Sequence, residues 1–182
     1  MRLPMCIVPG SVIRIGGIAG SGKTTLALSI INNIIENCKN YKAIHFDLNY
    51  STTTERASKM ISKESMKRYS CIEELEYIED LNNKIIVIDP VETSDVEYIE
   101  ELSNRIKDTN SILFLISDFV IKIFDDEPTT YYKNKVDLKI KIDKEIIIRP
   151  KDRYRFIKFD NKEVLLSVDD DYLFNGLEIL LV

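Results

Sequence analysis

"PGSVIRIGGIAGSGKTTLALSI", residues 9–30, decides the fold. Ser11–Gly16 is short and β-branched, which predicts a strand. Gly17-Ile18-Ala19-Gly20-Ser21-Gly22-Lys23-Thr24 then matches G-x-x-x-x-G-K-[ST] in full. Beyond it, Leu26, Ala27, Ile30, Ile31, Ile34 and Ile35 recur at helical spacing, predicting a helix from Thr24 to about Cys38 with one buried stripe. A strand, a glycine loop and a helix in that order form a phosphate cradle. Glycines let backbone N–H groups turn inward, and the helix N-terminus adds partial positive charge. Lys23 carries a full charge to the outer phosphates, the Thr24 hydroxyl is placed to ligate Mg²⁺, and Thr25 completes the binding stretch.

Working outward, the cradle needs a carboxylate partner. "KIIVID", Lys84–Asp89, is a continuous apolar run ended by an acid and Pro90, suited to a central parallel strand covered on both faces. Asp89 then stands at the sheet edge where ligands bind, able to hold a water of the Mg²⁺ shell. Its other reading is a cap on the following turn. Lys42–Leu48 and Ser111–Ser117 read as further strands. "STTTERASKMISK", "IEELEYIEDL" and "TSDVEYIEELSNRIK" read as helices. Alternating strands and helices imply right-handed crossovers and a parallel sheet. After Ser117 the pattern changes. Asp118–Lys135 reads as irregular, and "VDLKIKI", "EIIIRP", "YRFIKF" and "EVLLSV" read as a β-meander, with "LEILLV" as one more strand.

Composition bounds the rest. The chain has 182 residues, 45% hydrophobic and 30% charged, which fits one domain over 1–182 with a well-buried core. A formal charge of −5 gives no support for nucleic-acid binding by net charge alone. Its distribution is uneven: residues 72–104 hold eleven Asp/Glu against one Lys, and residues 133–158 hold ten Lys/Arg against four acids. Three scattered cysteines match no metal spacing and read as reduced thiols in a cytosolic setting. No signal peptide or membrane span is expected, so the reading is cytoplasmic, nucleoid or nuclear, and not secreted. His45 is the single histidine and reads as isolated from any metal site.

The flanks resemble the RecA/RadA-like superfamily of P-loop ATPases, KaiC-like members included. "PGSVIRIGGIAGSGKTTLALSI" is similar to the opening of that ATPase core, "YKAIHFDLNYSTTTERASKM" to its second strand and a helix bearing an "RA" pair (Arg56-Ala57), and "KIIVIDPVET" to its "VVIDS" strand. "SILFLISD" resembles the strand whose last polar residue senses the γ-phosphate, here Ser117 or Asp118. The resemblance covers roughly residues 9–160. It implies an α/β RecA-like fold: a mainly parallel central sheet flanked by helices, with a C-terminal β-meander. It also implies ATP and Mg²⁺ as cofactors, and assembly with itself or a related ATPase. The N-terminal DNA-binding or polymerisation segment of full recombinases is expected to be missing.

The resemblance also exposes a departure. The family usually carries a water-polarising glutamate just after the second strand; "FDLNYS" has none. Asn49 matches that position, and an amide orients water but takes no proton. Asp47 can substitute if it faces the γ-phosphate, or it can form a structural pair with His45, which shares its strand face; Glu55 is a more distant candidate. Slow ATP turnover is the expectation. In the family, the loop after Ser117 faces DNA, which singles out Tyr131, Tyr132, Lys133 and Lys135 for stacking and phosphate contact, against the repulsion of Asp125, Asp126 and Glu127. Arg149, Lys151, Arg153 and Arg155 suit DNA phosphates, a neighbour's ATP as an arginine finger, or solvated strand edges. The reading is therefore a recombinase paralog or accessory ATPase in DNA recombination or repair. A KaiC-like module controlling a protein partner is the alternative, and a small-molecule or nucleotide kinase the third.

Overall fold

Short apolar strands alternate with amphipathic helices along the first two thirds of the chain, and strands alone follow. The computed structural model describes residues 3–124, 127–132, 141–168, 174 and 176–182; for 3, 119–124 and 127–132 the description is of the backbone. In chain order the elements are β1 (Leu3–Ile7), β2 (Val12–Gly17), α1 (Lys23–Asn37), β3 (Lys42–Asp47), α2 (Thr54–Met60), β4 (Tyr69–Ile72) and β5 (Lys84–Asp89). Then come α3 (Val96–Ile106), β6 (Ile112–Phe124), β7 (Glu127–Tyr132), β8 (Lys144–Lys151), β9 (Tyr154–Phe159), β10 (Lys162–Ser167) and β11 (Leu177–Leu181).

The main sheet runs β10-β9-β8-β2-β6-β5-β3-β4, with β7 paired to β6 beyond the sheet edge. Its centre is parallel, from β8 through β2, β6, β5 and β3 to β4. β8, β9 and β10 form the antiparallel meander. The α/β architecture anticipated from the apolar runs is therefore the one observed, with β2 inserted between β6 and β8.

Period two divides the core between the two faces of the sheet. Ile85 and Val87 of β5, with Ile112, Phe114 and Ile116 of β6, pack with Leu26, Ile30, Ile31 and Ile34 of α1. Ile86 and Ile88, with Leu113 and Leu115, pack with Ile99, Leu102 and Ile106 of α3. Each fully buried aliphatic side chain contributes about 1.5–3 kcal/mol, so both helices are held chiefly by these stripes. Asp95 caps α3 by accepting from the N–H groups of Glu97 and Tyr98 at 3.0 and 3.2 Å.

Three local expectations are corrected. "IEELEYIEDL" is not a helix: Ile72 ends β4 and the rest is irregular. Its apolar residues Ile72, Leu75, Ile78 and Leu81 recur every third position, short of the helical 3.6, and all join the α3-side core. Its backbone is satisfied by side chains of α3: Tyr98 Oη accepts from Ile78 N at 2.9 Å, and Arg105 donates to Ile78 O at 2.7 Å. Asp118–Lys135 is not irregular at its start, because β6 continues to Phe124 and pairs antiparallel with β7. Residues 136–140 of "VDLKIKI" lie outside the described residues, and its last two, Lys141 and Ile142, form no strand. "LEILLV" is a strand as expected, and β11 pairs in parallel with β1 as a separate two-stranded sheet.

Candidate functional site

The ends of four parallel strands meet at one edge. Register sets Gly16 opposite Ser117, Gly17 opposite Asp118, and Asp47 opposite Asp89. By period two, His45, Asp47 and Asp89 all project toward the α1 side, where the glycine loop turns. Sequence separations of up to about a hundred residues thus collapse to neighbouring strand spacings of about 4.8 Å.

The loop is shaped by its glycines. A Cβ on Gly17 would lie 2.5 Å from Ser21 Oγ and 2.6 Å from Ile148 O, so the loop's first turn closes against β8 only with hydrogen there. Gly20 and Gly22 take φ of 75° and 99°, the left-handed region that glycine enters without steric cost. Gly22 is the N-cap of α1 and makes no side-chain cap, leaving the helix N-terminus open to an external acceptor.

Around this loop the polar groups are unevenly satisfied. Lys23 Nζ donates to Ile18 O at 3.0 Å and pairs with Asp118 Oδ1 at 2.5 Å. Thr24 Oγ1 donates to Asp89 Oδ2 at 2.5 Å. Ser21 Oγ, Ser117 Oγ, His45 Nε2, Thr52 Oγ1 and Glu92 Oε2 are buried there without a hydrogen-bond partner among the described residues. Orphaned buried polar atoms are costly and rare in folded proteins, and a cluster of them marks a place for ligand or water. An open helix N-terminus, a lysine ammonium and a hydroxyl–carboxylate pair are donors of the kind that fit a polyphosphate with a hard divalent cation. Beside them opens a cavity of about 620 Å³ lined by Lys23, Thr24, Thr25, Arg56 and Arg155, among others.

His45 is not isolated. It is fully buried, its Nε2 lies 3.7 Å from Asp89 Oδ2, and its Nδ1 lies 3.0 Å from the Tyr69 hydroxyl. Offered ligand atoms of His45, Asp47 and Asp89 fall within 4.8 Å of one another, a set with metal-binding capacity. Burial alone depresses the imidazole pKa, but Asp89 and Cys71 outweigh it and push His45 up to about 9. A protonated His45 thus neutralises part of the acidic edge. Burial likewise raises the Tyr69 phenol.

The other anticipated residues separate. Asp47 is buried, and both of its oxygens are engaged: Ser51 Oγ donates to Oδ1 at 3.1 Å and Thr52 N to Oδ2 at 2.5 Å. Asn49 is exposed, and Glu55 lines the cavity while pairing with Lys59 at 3.0 Å. The arginine cluster splits, because the two-residue turn between β8 and β9 reverses strand parity. Arg155 turns to the loop, donating from Nε to Ser21 O at 2.9 Å within the same chain. Arg149 pairs with Glu163 at 2.8 Å, Lys151 lies 5.1 Å over the Phe156 ring, and Arg153 is exposed. Lys133 and Lys135, and the side chains of Tyr131 and Tyr132, lie outside the described residues.

A solved structure described as that of the RadB recombinase aligns over 94% of this chain and 92% of its own, with a TM-score of 0.63 and 15% identity. The chain has a RecA-like fold. No family profile and no curated protein sequence matches it.

Within this RecA-like frame, Glu92 escapes sequence reasoning, and Arg56 and Arg155, both named from the sequence, take local roles it did not specify. Arg56 of α2 donates to Thr25 Oγ1 at 2.8 Å and to Ser51 O at 3.2 Å, tying the strand-end turn to α1. Arg155 braces the loop from a distant hairpin. Glu92, in a 3₁₀ turn just after β5, accepts from Asp118 N at 2.8 Å. Its carboxyl pKa is raised, chiefly by burial. Only the acid's place shortly after "IIVID" signals Glu92 in the sequence.

Proposed function

We propose that the chain, as a single domain over 1–182, binds Mg·ATP at Gly17–Thr24 and works as a RecA-like ATPase accessory to DNA recombination or repair. The pairing of Thr24 with Asp89 beside the Gly17–Gly22 loop carries this reading. In it, N–H groups of Ile18 to Thr25 and the Lys23 ammonium hold the phosphates, while Thr24 and, through water, Asp89 hold Mg²⁺. Ser117, whose Oγ lacks a partner among the described residues, faces the γ-phosphate. Arg155, tied to Ser21 of its own chain, braces the cradle in cis. ATP acts as an assembly switch, driving association with a second copy or a related ATPase, and turnover is slow. The recombination role is supported by the likeness, over 94% of this chain, to the structure described as the RadB recombinase.

The test is titration of a fluorescent ATP analogue with and without Mg²⁺, for the wild-type chain and for Lys23→Ala and Thr24→Ala. Both variants should lose binding, and Thr24→Ala should lose the Mg²⁺ enhancement. Equal affinity in all three proteins sinks the proposal. DNA affinity measured with ATP should fall steeply with log[salt]; no DNA binding at low salt favours a module that acts on a protein partner instead.

A further inference from the structure

We infer that Glu92 is the base that takes the proton of the attacking water when ATP is hydrolysed at this loop, an inference that rests on the nucleotide reading above. Splitting a triphosphate requires a group that orients and deprotonates water beside the γ-phosphate. Each carboxylate near the loop can be followed to its partners. Asp47 has both oxygens engaged by Ser51 and Thr52. Asp89 accepts from Thr24, and Asp118 is on Lys23. Glu55 pairs with Lys59, with its side chain 79% exposed. Glu92 Oε2 is the one carboxylate oxygen, among the described residues, that is buried without a partner.

Its position is held rather than incidental. Glu92 Oε1 accepts from Asp118 N, and Asp118 is both the register partner of Gly17 and the residue whose carboxylate contacts Lys23. The free oxygen is therefore fixed two contacts from the ammonium that addresses the outer phosphates. Burial makes this carboxyl a stronger base than an exposed glutamate. In the step, the water oxygen bonds to the γ-phosphorus as its O–H bond breaks, and the proton passes to Glu92 Oε2. The bond from the γ-phosphorus to the bridging oxygen breaks, its electron pair leaving with ADP. Glu92 then returns the proton to solvent, and ADP and inorganic phosphate leave. The catalytic carboxylate thus comes from the turn after β5, while the strand-end turn after β3 is structural.

The experiment uses the full chain and the Glu92→Gln variant, whose amide oxygen still accepts from Asp118 N. Expected are a loss of single-turnover ATP hydrolysis of at least about a hundredfold, unchanged affinity for a fluorescent ATP analogue, and recovery of bound nucleotide as ATP where the wild type yields ADP. Glu92→Asp, which keeps the acid but withdraws it by one methylene, should fall between the two, and Glu97→Gln on α3 should match the wild type. Circular dichroism melting checks that each variant folds; if Glu92→Gln does not, the Glu92→Asp rate decides, and a wild-type rate there overturns the inference. Hydrolysis by Glu92→Gln at the wild-type rate overturns it, as does a parallel loss of nucleotide affinity. Wild-type protein that binds ATP without hydrolysing it overturns this inference alone. Wild-type protein that binds no nucleotide overturns the proposed function, and the inference with it.

Discussion

Gly17→Ala is the most demanding test of the cradle's geometry. The added Cβ meets Ser21 Oγ at 2.5 Å, Ile148 O at 2.6 Å and Ile148 Cγ2 at 3.0 Å. Ser21 can rotate away, but Ile148 O is backbone in β8, which is clamped between β2 and β9. Relief must come from parting β2 and β8 where their pairing ends at Gly16 and Ile147. Overpacking of this kind costs about 1–3 kcal/mol, and a rigid backbone partner sets the upper end. For a domain of this length, that lowers the melting temperature by about 5–10 °C. Gly20→Ala is the control: φ is +75°, but no atom of the described residues lies within 4 Å of its Cβ, so only the left-handed conformation is penalised, by roughly 1 kcal/mol. Far-UV circular dichroism melts without nucleotide give both numbers. A Gly17→Ala protein melting no lower than Gly20→Ala refutes the steric reasoning.

Three further outcomes are expected. His45 titrates in the folded chain at about 9 against an ordinary 6.5, so folding favours its protonated form; the stabilisation is complete below the lower value and lost as pH rises through the upper. At about 1.4 kcal/mol per pH unit it amounts to roughly 3 kcal/mol at most. Urea midpoints in EDTA should fall across that window, and a flat profile, or one unchanged in His45→Gln, refutes it. Asp118→Asn removes a negative charge from beside Lys23 and should tighten ATP-analogue binding several-fold, roughly 1 kcal/mol given that Asp118 is a third exposed; weaker binding refutes the competition. Arg155→Ala, losing its bond to Ser21 O, should weaken nucleotide binding about tenfold, with no rescue when wild-type chains are mixed in; rescue by mixing shows instead a contribution in trans.

Local pattern made much of this fold legible. "KIIVID" is β5 to the residue, and the α1 stripe is the one buried, because continuous apolar runs and 3.6-residue spacing are properties of short segments. β1 went unread because its strand partner among the described residues is β11, at the far end of the sequence. "IEELEYIEDL" misled because a period of three mimics a helix over ten residues, while its hydrogen bonds go to Tyr98 and Arg105 of another element. The continuation of β6 past Ser117 depends on pairing with β7, which no single run displays.

The site divides in the same way. Lys23, Thr24 and the glycines lie within one turn of chain, so their spacing alone specifies a cradle, and Asp89 follows from its place at the end of an apolar strand. Whether Asp47 is free or engaged, which way Arg155 turns, and how near His45 and Glu92 come to the loop are matters of register and strand parity between segments far apart in sequence. Residue spacing determined the groups suited to holding phosphate; tertiary pairing alone decided which neighbouring carboxylates are already committed and which buried oxygen, among the described residues, is left unpartnered.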